Sequence, residues 1–308
     1  MREESPGSDI VAAIRSAEGL TDLVDRFDAE SVHDAYFEAK DAWREAIRRR
    51  QEAASRPDEL AGESVIFDGT TFHVHGVTHA GTDAEREYLR ESIQSYLDRG
   101  AVIYCEQGIR SMYFAELGGV CEMDDYLWAM QQCEQLAGES HVQSLPESGL
   151  DGVLEDIAGV AAEFREATFS LIESGRGVYG ERFEQALGDV AAEFLTDHAD
   201  LATAQSYEAF QLSQAASEDP DRLHDLQQYY ERAFLPQPLE REWLRRHDPE
   251  LELVSHARNE RMADYAVYHN QDATEVHLVV GAAHQPGVIY YLDQYQQGRE
   301  VPTDFTPL

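Results

Sequence analysis

Residues 71–79, TFHVHGVTH, and residues 276–284, VHLVVGAAH, share one arrangement although most of the chain separates them. Each is an apolar, strand-like run that continues into Gly-x-x-His and then into the predicted start of a helix. In sheets of α/β type, ligands gather at the carboxyl ends of strands, where the chain turns into a helix. A sheet that contains both segments would therefore place two imidazoles, those of His79 and His284, at one site.

A helix is expected after each histidine. Thr82 and Glu85 have the spacing of a capping box, and Gly100 stands where a glycine commonly ends a helix. Residues 287–297 form the helical run behind the second histidine. A glycine three residues before each histidine permits a backbone turn or a close approach that a Cβ would block. Between the first helix start and Gly100, apolar residues recur every four positions, as on the buried face of a helix: Leu89, Ile93 and Leu97.

A carboxylate is predicted to join the two histidines. Residues 101–105, AVIYC, form a strand-type run that delivers Glu106 at its carboxyl end. Two imidazoles and a carboxylate at neighbouring strand ends are suitable ligands for zinc, manganese, cobalt or a similar divalent ion. Glu106 could instead be a general base, and the sequence leaves both roles open.

Each of these residues has a structural alternative. His79 and His284 would then be polar residues that start helices, or buried histidines. Arg110, four residues after Glu106, could stabilise a substrate's developing negative charge. It could also form a surface ion pair with Glu106, worth about 0.3–0.5 kcal/mol.

The order of these motifs resembles that of the TraB family, which includes the pheromone-shutdown, GumN-like and Tiki proteins. The resemblance covers about residues 65–134 and 251–297. It rests on four motifs: Gly76-x-x-His79, Glu106-x-x-x-Arg110, Arg258-Asn259 and Gly281-x-x-His284.

The resemblance implies a metal-dependent hydrolase, because the two Gly-x-x-His histidines and the glutamate carry metal-dependent peptide cleavage in Tiki proteins. His79, His284 and Glu106 would then hold the metal. Glu106 and Arg110 would serve catalysis, together with Arg258 and Asn259. The last two could equally be a buried hydrogen-bonding pair that fixes their helix against the sheet.

A second hypothesis follows from relatives without demonstrated activity. It is a non-catalytic peptide-binding or regulatory protein, the role suggested for the pheromone-shutdown relatives. The histidines would then line a pocket or support a structural metal. In both hypotheses the partner is a peptide or another small molecule, and the formation of a homodimer is left open.

Charge restricts the partners further. The chain has 60 acidic and 24 basic residues, a formal net charge of −36, and Lys40 as its only lysine. Repulsion among so many negative charges destabilises a compact state in ordinary cytosol. At 1 M salt the Debye length falls to about 3 Å, so this repulsion is screened. We therefore expect a cytoplasmic protein of a halophile, an archaeon by its composition. Nucleic-acid binding is not expected, because no basic stripe could replace counterions on phosphates.

No membrane span or disulfide framework is expected. The beginning of the chain lacks the apolar core of a secretory signal. No stretch approaches the roughly 20 apolar residues of a span, although archaeal and bacterial relatives often carry a carboxyl-terminal group of spans. The three cysteines include no Cys-x-x-Cys pair, and Cys105 is expected to be buried in its strand.

The predicted architecture is α+β, predominantly helical, with a mixed sheet built from both ends of the chain. Residues 1–60 form an amino-terminal helical segment, and residues 61–308 a catalytic domain with a helical insertion at about 137–250. Residues 65–74 are expected to form a hairpin around Asp68-Gly69. His73 and His75 share one face of their strand, for which we favour surface or structural roles over support of a metal site.

Three common site motifs are absent: the Gly-x-Ser-x-Gly elbow, the Walker loop and the His-Glu-x-x-His helix. Residues 175–180 satisfy Gly-x-Gly-x-x-Gly, but the residues before them look helical. The dinucleotide fingerprint requires a preceding strand, so we set this match aside. We expect a break in the helix near residues 174–177.

Overall fold

The computed structural model describes residues 6–52, 62–139, 150–195, 201 and 203–305. They form many helices around one five-stranded sheet that mixes parallel and antiparallel pairs. The predicted α+β class with a predominance of helix is therefore confirmed.

The sheet contains strands from two distant parts of the sequence. The strands are β1 Glu63–Phe67, β2 Thr70–Val77, β3 Val102–Cys105, β4 Val120–Glu122 and β5 Glu275–Gly281. The sheet order is β1-β2-β5-β3-β4, in which only β1 and β2 pair antiparallel. The late strand β5 lies between the early strands β2 and β3, so the sheet is built from both ends of the chain, as predicted.

The hairpin between β1 and β2 forms where it was predicted. Asp68 has φ 48° and Gly69 has φ 86°, and a two-residue turn with both φ angles positive matches the twist of the flanking strands. Phe67 pairs with Thr70 directly beside the turn.

The helices follow in three groups along the chain. The first three form the amino-terminal segment: α1 Pro6–Arg15, α2 Leu20–Phe27 and α3 Val32–Gln51. Three more alternate with the early strands: α4 Asp83–Asp98, α5 Gln107–Tyr113 and α6 Asp125–Glu139. The others are α7 Leu150–Tyr179, α8 Glu181–Leu195, α9 Tyr207–Glu218, α10 Leu223–Ala233, α11 Gln237–His247, α12 Pro249–Glu252, α13 Arg258–His269 and α14 Gln285–Gln296.

Helices cover both faces of the sheet. One face packs on α13 and α14, through buried residues that include Phe72, Val74, Leu278, Met262 and Leu292. The other face packs on α4, through a cluster that includes Val77, Ile103, Val279, Leu89 and Ile93. This two-sided burial gives the strands the near-continuous apolar runs that the sequence shows.

The amino-terminal helices pack on α11. The rings of Tyr36 and Trp243 stack with centroids 4.1 Å apart. The only lysine, Lys40, is buried and lies 3.2 Å from the buried carboxylate of Glu240. A charge removed from water needs such a partner, so this pair joins α3 firmly to α11.

The predicted helix break near residues 174–177 is wrong. Helix α7 continues through Gly175 and Gly177 to Tyr179, and it ends before Gly180, which has φ 85°. A glycine inside a helix costs only about 1 kcal/mol, whereas the left-handed turn after the helix requires one. The Gly-x-Gly-x-x-Gly match therefore lies on a helix and its end, as expected for a chance match.

None of the helices in the described part of the chain combines the length and the apolar composition needed to cross a bilayer.

Candidate functional site

The carboxyl ends of three neighbouring strands bring the predicted residues together. Strand β2 leads to His79, β5 to His284 and β3 to Glu106. The Nε2 atom of His79 lies 3.8 Å from Oε2 of Glu106, and Nε2 of His284 lies 3.7 Å from Oε1. The glutamate therefore stands between the two imidazoles.

Glu106 is held in place on both carboxylate oxygens. The guanidinium of Arg258 donates from Nη2 to Oε1 at 2.8 Å, and the backbone N–H of Gly281 donates to Oε2 at 3.0 Å. Burial opposes ionisation of this side chain, but the nearby His284, Arg258 and His79 and the Gly281 N–H outweigh it and lower the pKa to about 2. Glu106 is therefore an anion at neutral pH.

His284 is oriented by Asn259. Its Nδ1 lies 2.8 Å from Asn259 Oδ1, and Asn259 Nδ2 donates to Gln237 Oε1 at 3.0 Å. Because the amide oxygen is an acceptor, Nδ1 carries the proton and Nε2 presents its lone pair on the Glu106 side. Burial lowers the His284 pKa to about 4 despite the nearby carboxylate, so the ring is neutral and able to act as a ligand.

Two glycines leave space that these side chains use. An ideal Cβ on Gly281 would lie 2.4 Å from Nε2 of His79, and one on Gly287 would lie 2.1 Å from Nδ2 of Asn259. His79 itself has φ 64°, a left-handed conformation that costs free energy for a residue with a Cβ. The backbone is thus held so that the His79 ring lies over Gly281.

Arg258 connects Glu106 to a second buried carboxylate. Its Nε donates to Oδ2 of Asp125 at 2.9 Å. Burial raises the Asp125 pKa to about 6, although the Arg258 charge opposes this. The other Asp125 oxygen is buried without a hydrogen-bond partner among the described residues. Arg258 follows one turn of π-helix at Leu253–Ala257, and such turns are frequent at functional sites.

Arg110 does not contact the Glu106 side chain, so the predicted alternative of an ion pair between these two residues is wrong. Its guanidinium lies 3.7 Å from the Glu122 carboxylate and donates to the carbonyl oxygen of Phe114 at 3.4 Å. Glu106 has extended backbone angles at the start of α5, and its side chain reaches Gly281, whereas Arg110 lies one turn later beside β4. Arg258 makes the contact with Glu106 in its place.

Only one of the two hydrogen bonds of the predicted capping box forms. The Thr82 hydroxyl accepts from the backbone N–H of Glu85 at 3.2 Å. The Glu85 carboxylate, however, accepts from Thr78 N and from Tyr113 Oη, at 2.8 and 2.6 Å. Glu85 is fully buried, and its effect is to fix residue 78 directly before His79.

Cys105 is buried in β3 as predicted. Burial raises the pKa of its thiol far above the usual range. A buried thiol in this environment is inert as a nucleophile.

The donor chemistry of the site fits a divalent metal. It offers one ionised carboxylate and, in His284, a neutral imidazole whose other nitrogen is hydrogen-bonded, as is usual for metal-ligating histidines. The space beside Gly281 is filled by the second imidazole, His79. The ligand atoms of His79, Glu106 and His284 do not all lie within 4.8 Å of one another. Within the described residues, only one set of three such side chains has all its ligand atoms within 4.8 Å of one another: His73, Glu275 and His277.

Asp125 and Gln237 were not predicted from the sequence. Neither belongs to a recognisable motif, and each reaches the site only through the late helix that carries Arg258 and Asn259.

Comparison with known proteins adds no relative to these observations. No protein-family model matches the chain, and neither the curated proteins nor the solved structures contain a significant match.

Proposed function

We propose that this chain is a metal-dependent hydrolase that cleaves peptides or related small amide substrates. The observation that carries the proposal is the convergence of His79, Glu106 and His284, which come from three strand ends, with Asn259 and Arg258 fixing two of them. Perturbed ionisable groups gathered at strand ends are typical of catalytic sites. The resemblance to the TraB family supports the same hypothesis of a metal-dependent hydrolase.

Each residue has a role that follows from its contacts. His79 and His284 would bind the metal through Nε2, and Asn259 would keep the His284 ring in the required tautomer. Glu106 would be a third ligand or the general base that accepts a proton from the attacking water. A divalent ion bound here would polarise the scissile carbonyl and lower the pKa of that water.

Arg258 would hold Glu106 in place and supply positive charge near the reacting carbonyl. Its guanidinium is engaged with Glu106 and Asp125, at 2.8 and 2.9 Å, so it acts mainly by positioning the carboxylate. Arg110 is a weaker candidate for oxyanion stabilisation, because its contacts are with Glu122 and Phe114.

Incubation with a peptide library tests the proposal. The protein would be stripped with a chelator, reconstituted with manganese, cobalt or zinc, and kept in about 2 M KCl so that its acidic surface is screened. We expect metal-dependent cleavage that is lost in His79→Ala and His284→Ala and retained in the control His33→Ala, which removes an exposed histidine of α3. Unchanged cleavage in both histidine variants would contradict the proposal.

The alternative, a non-catalytic peptide-binding or regulatory protein, predicts another result. Such a protein would bind a peptide with the same affinity before and after removal of metal, and it would give no cleaved product over hours. Equilibrium binding of the library peptides, measured beside the turnover assay, separates the two functions.

A further inference from the structure

We propose that His73, Glu275 and His277 form a second divalent-metal site at the opposite end of the sheet from His79 and His284. This site is independent of the proposed hydrolase function. It lies where β2 and β5 begin to pair, about 13 Å from Gly281 at about 3.3 Å per residue.

The strand register places the three donors on one face. His73 of β2 is directly opposite His277 of β5, and Glu275 lies two residues before His277, on the same side of the strand. The relevant ligand atoms of all three lie within 4.8 Å of one another. Because the backbones of paired strands are rigid, this arrangement is built into the sheet.

The distances suit a metal ion. The Glu275 carboxylate oxygen Oε1 lies 2.8 Å from His277 Nε2 and 3.9 Å from His73 Nε2. Zinc binds nitrogen and oxygen at about 2.0–2.2 Å, so the donors of a tetrahedral site lie about 3.3–3.5 Å apart. Changes of about half an ångström would bring both of these separations from Glu275 into that range.

In both His73 and His277, the second ring nitrogen, Nδ1, already has a hydrogen-bond partner. The Ser64 hydroxyl lies 2.7 Å from His73 Nδ1, and His75 Nε2 lies 2.9 Å from His277 Nδ1. Such contacts orient metal-ligating histidines. The bond between His75 and His277 can run in either direction. His277 can therefore donate from Nδ1 and present the lone pair of Nε2 to an ion, with no change in net charge.

The environment holds the rings in place and leaves one side accessible. Tyr96 of α4 stacks on the His277 ring with centroids 3.9 Å apart, and the His277 side chain is only 2% exposed. The side chains of His73 and Glu275 are 25% and 28% exposed. An ion could thus enter from solvent and keep a water as its fourth ligand.

Arg99 is the competitor for this site. Its Nη2 donates to Glu275 Oε1 at 2.9 Å, and its side chain is 46% exposed. The guanidinium also donates to Ser95 Oγ at 3.4 Å and lies over the Tyr96 ring, so it keeps other contacts when it releases Glu275. Glu275 also has a second carboxylate oxygen. Arg99→Ala should therefore strengthen metal binding, whereas a purely structural cluster of rings would show no such gain.

Zinc and cobalt titrations test the site. The double variant His79→Ala/His284→Ala removes the first pair of histidines, so that metal bound to the purified protein reports on the second cluster. We expect about one equivalent of zinc per chain in this background. Adding His73→Ala or Glu275→Gln should weaken binding by about 100-fold or more, since each removes one of three ligands.

The control removes an exposed histidine of α3, one of the amino-terminal helices. His33→Ala in the same background should leave the zinc affinity unchanged. If the background variant does not fold, as judged by circular dichroism, the same substitutions in the unaltered chain should lower the zinc stoichiometry by one. Zinc affinity and stoichiometry that are identical in the His73→Ala, Glu275→Gln and His33→Ala proteins, all folded, would overturn the proposal.

Discussion

An ideal Cβ on Gly281 would lie 2.4 Å from Nε2 of His79, so the glycine of one Gly-x-x-His motif makes room for the histidine of the other. Gly76, the glycine of the first motif, also makes room for a residue of the other motif, because a Cβ on Gly76 would lie 2.8 Å from the Cα of Ala282. The two motifs therefore fit together at the ends of β2 and β5. This fit gives the repeated glycine a physical reason.

Gly281→Ala should displace the His79 ring and abolish metal-dependent activity. The methyl group cannot share the position of the imidazole, and the buried N–H of Gly281 must still reach Glu106. We expect a destabilisation of no more than about 1 kcal/mol, the low end for overpacked positions, because the clash is with the end of a His79 side chain that is 39% exposed. Activity and urea unfolding measure the two effects.

Gly108→Ala is the matched control for that substitution. Its Cβ would meet nothing within 4 Å, and it lies in helix α5. Replacement of glycine by alanine in a helix stabilises it by up to about 1 kcal/mol. A Gly281→Ala protein that is as active and stable as Gly108→Ala would contradict the packing argument.

Asn259→Ala should weaken metal binding at the first site by about 10–100-fold, the usual effect of removing a group that orients a ligand. The variant loses the bond that sets the His284 tautomer. Isothermal titration with zinc measures the effect. Asn270→Ala is the control, because it removes another buried asparagine, one that bonds Ala266 O instead of a histidine. Equal zinc affinities in the two variants would contradict the assigned role.

Arg258→Ala should destabilise the protein by about 3–5 kcal/mol, since it leaves the buried carboxylates of Glu106 and Asp125 without their shared cation. Arg110→Ala should cost no more than about 1 kcal/mol, because its ion pair with Glu122 is partly exposed. Urea unfolding of both variants at constant salt measures the difference. Equal losses of stability would contradict the assignment of Arg258 as the partner of Glu106.

Acid should destabilise the metal-free protein through His284. Burial lowers its pKa to about 4, from 6.5. Between these values the unfolded chain binds more protons than the folded chain, so this contribution to stability is lost as the pH falls from about 6.5 to 4. His277, also with a pKa of about 4, acts in the same direction. Asp125 acts oppositely, because its raised pKa of about 6 favours the folded state as the pH falls.

The variant His284→Asn isolates this contribution. Its unfolding free energy should change less than that of the unaltered chain between pH 6.5 and pH 4.5, measured with a chelator present. Because Asp125 remains in both proteins, its opposite contribution largely cancels in the comparison. Identical pH profiles for the two proteins would show that His284 is not held neutral by burial.

The parts of the fold that could be predicted depend on residues that are close together in the sequence. Asp68-Gly69 specified the hairpin because both residues adopt positive φ, and the two strand-Gly-x-x-His segments specified neighbouring strand ends. Arg258 could not be preferred over Arg110 from the sequence. Proximity in sequence favoured Arg110, and only the packing of α13 against the sheet decides which guanidinium reaches Glu106.

The sequence does not predict the second cluster, for a related reason. It places His73 and His75 on one strand face, but their neighbours in β5 depend on the register between two distant strands. A shift by one residue would turn His277 to the other face. The observed pairing of His73 with His277 is therefore information that only the assembled sheet contains.

The metal content of the chain tests the central claim most directly. The protein would carry His73→Ala, so that only the first site can bind, and would be equilibrated with cobalt or zinc in about 2 M KCl and analysed by mass spectrometry. We expect close to one metal per chain, lost on further substitution of His79 or His284 by alanine while circular dichroism shows an intact fold. Metal that is absent from the start, or retained in both folded variants, would contradict the claim that the two distant motifs build one metal site.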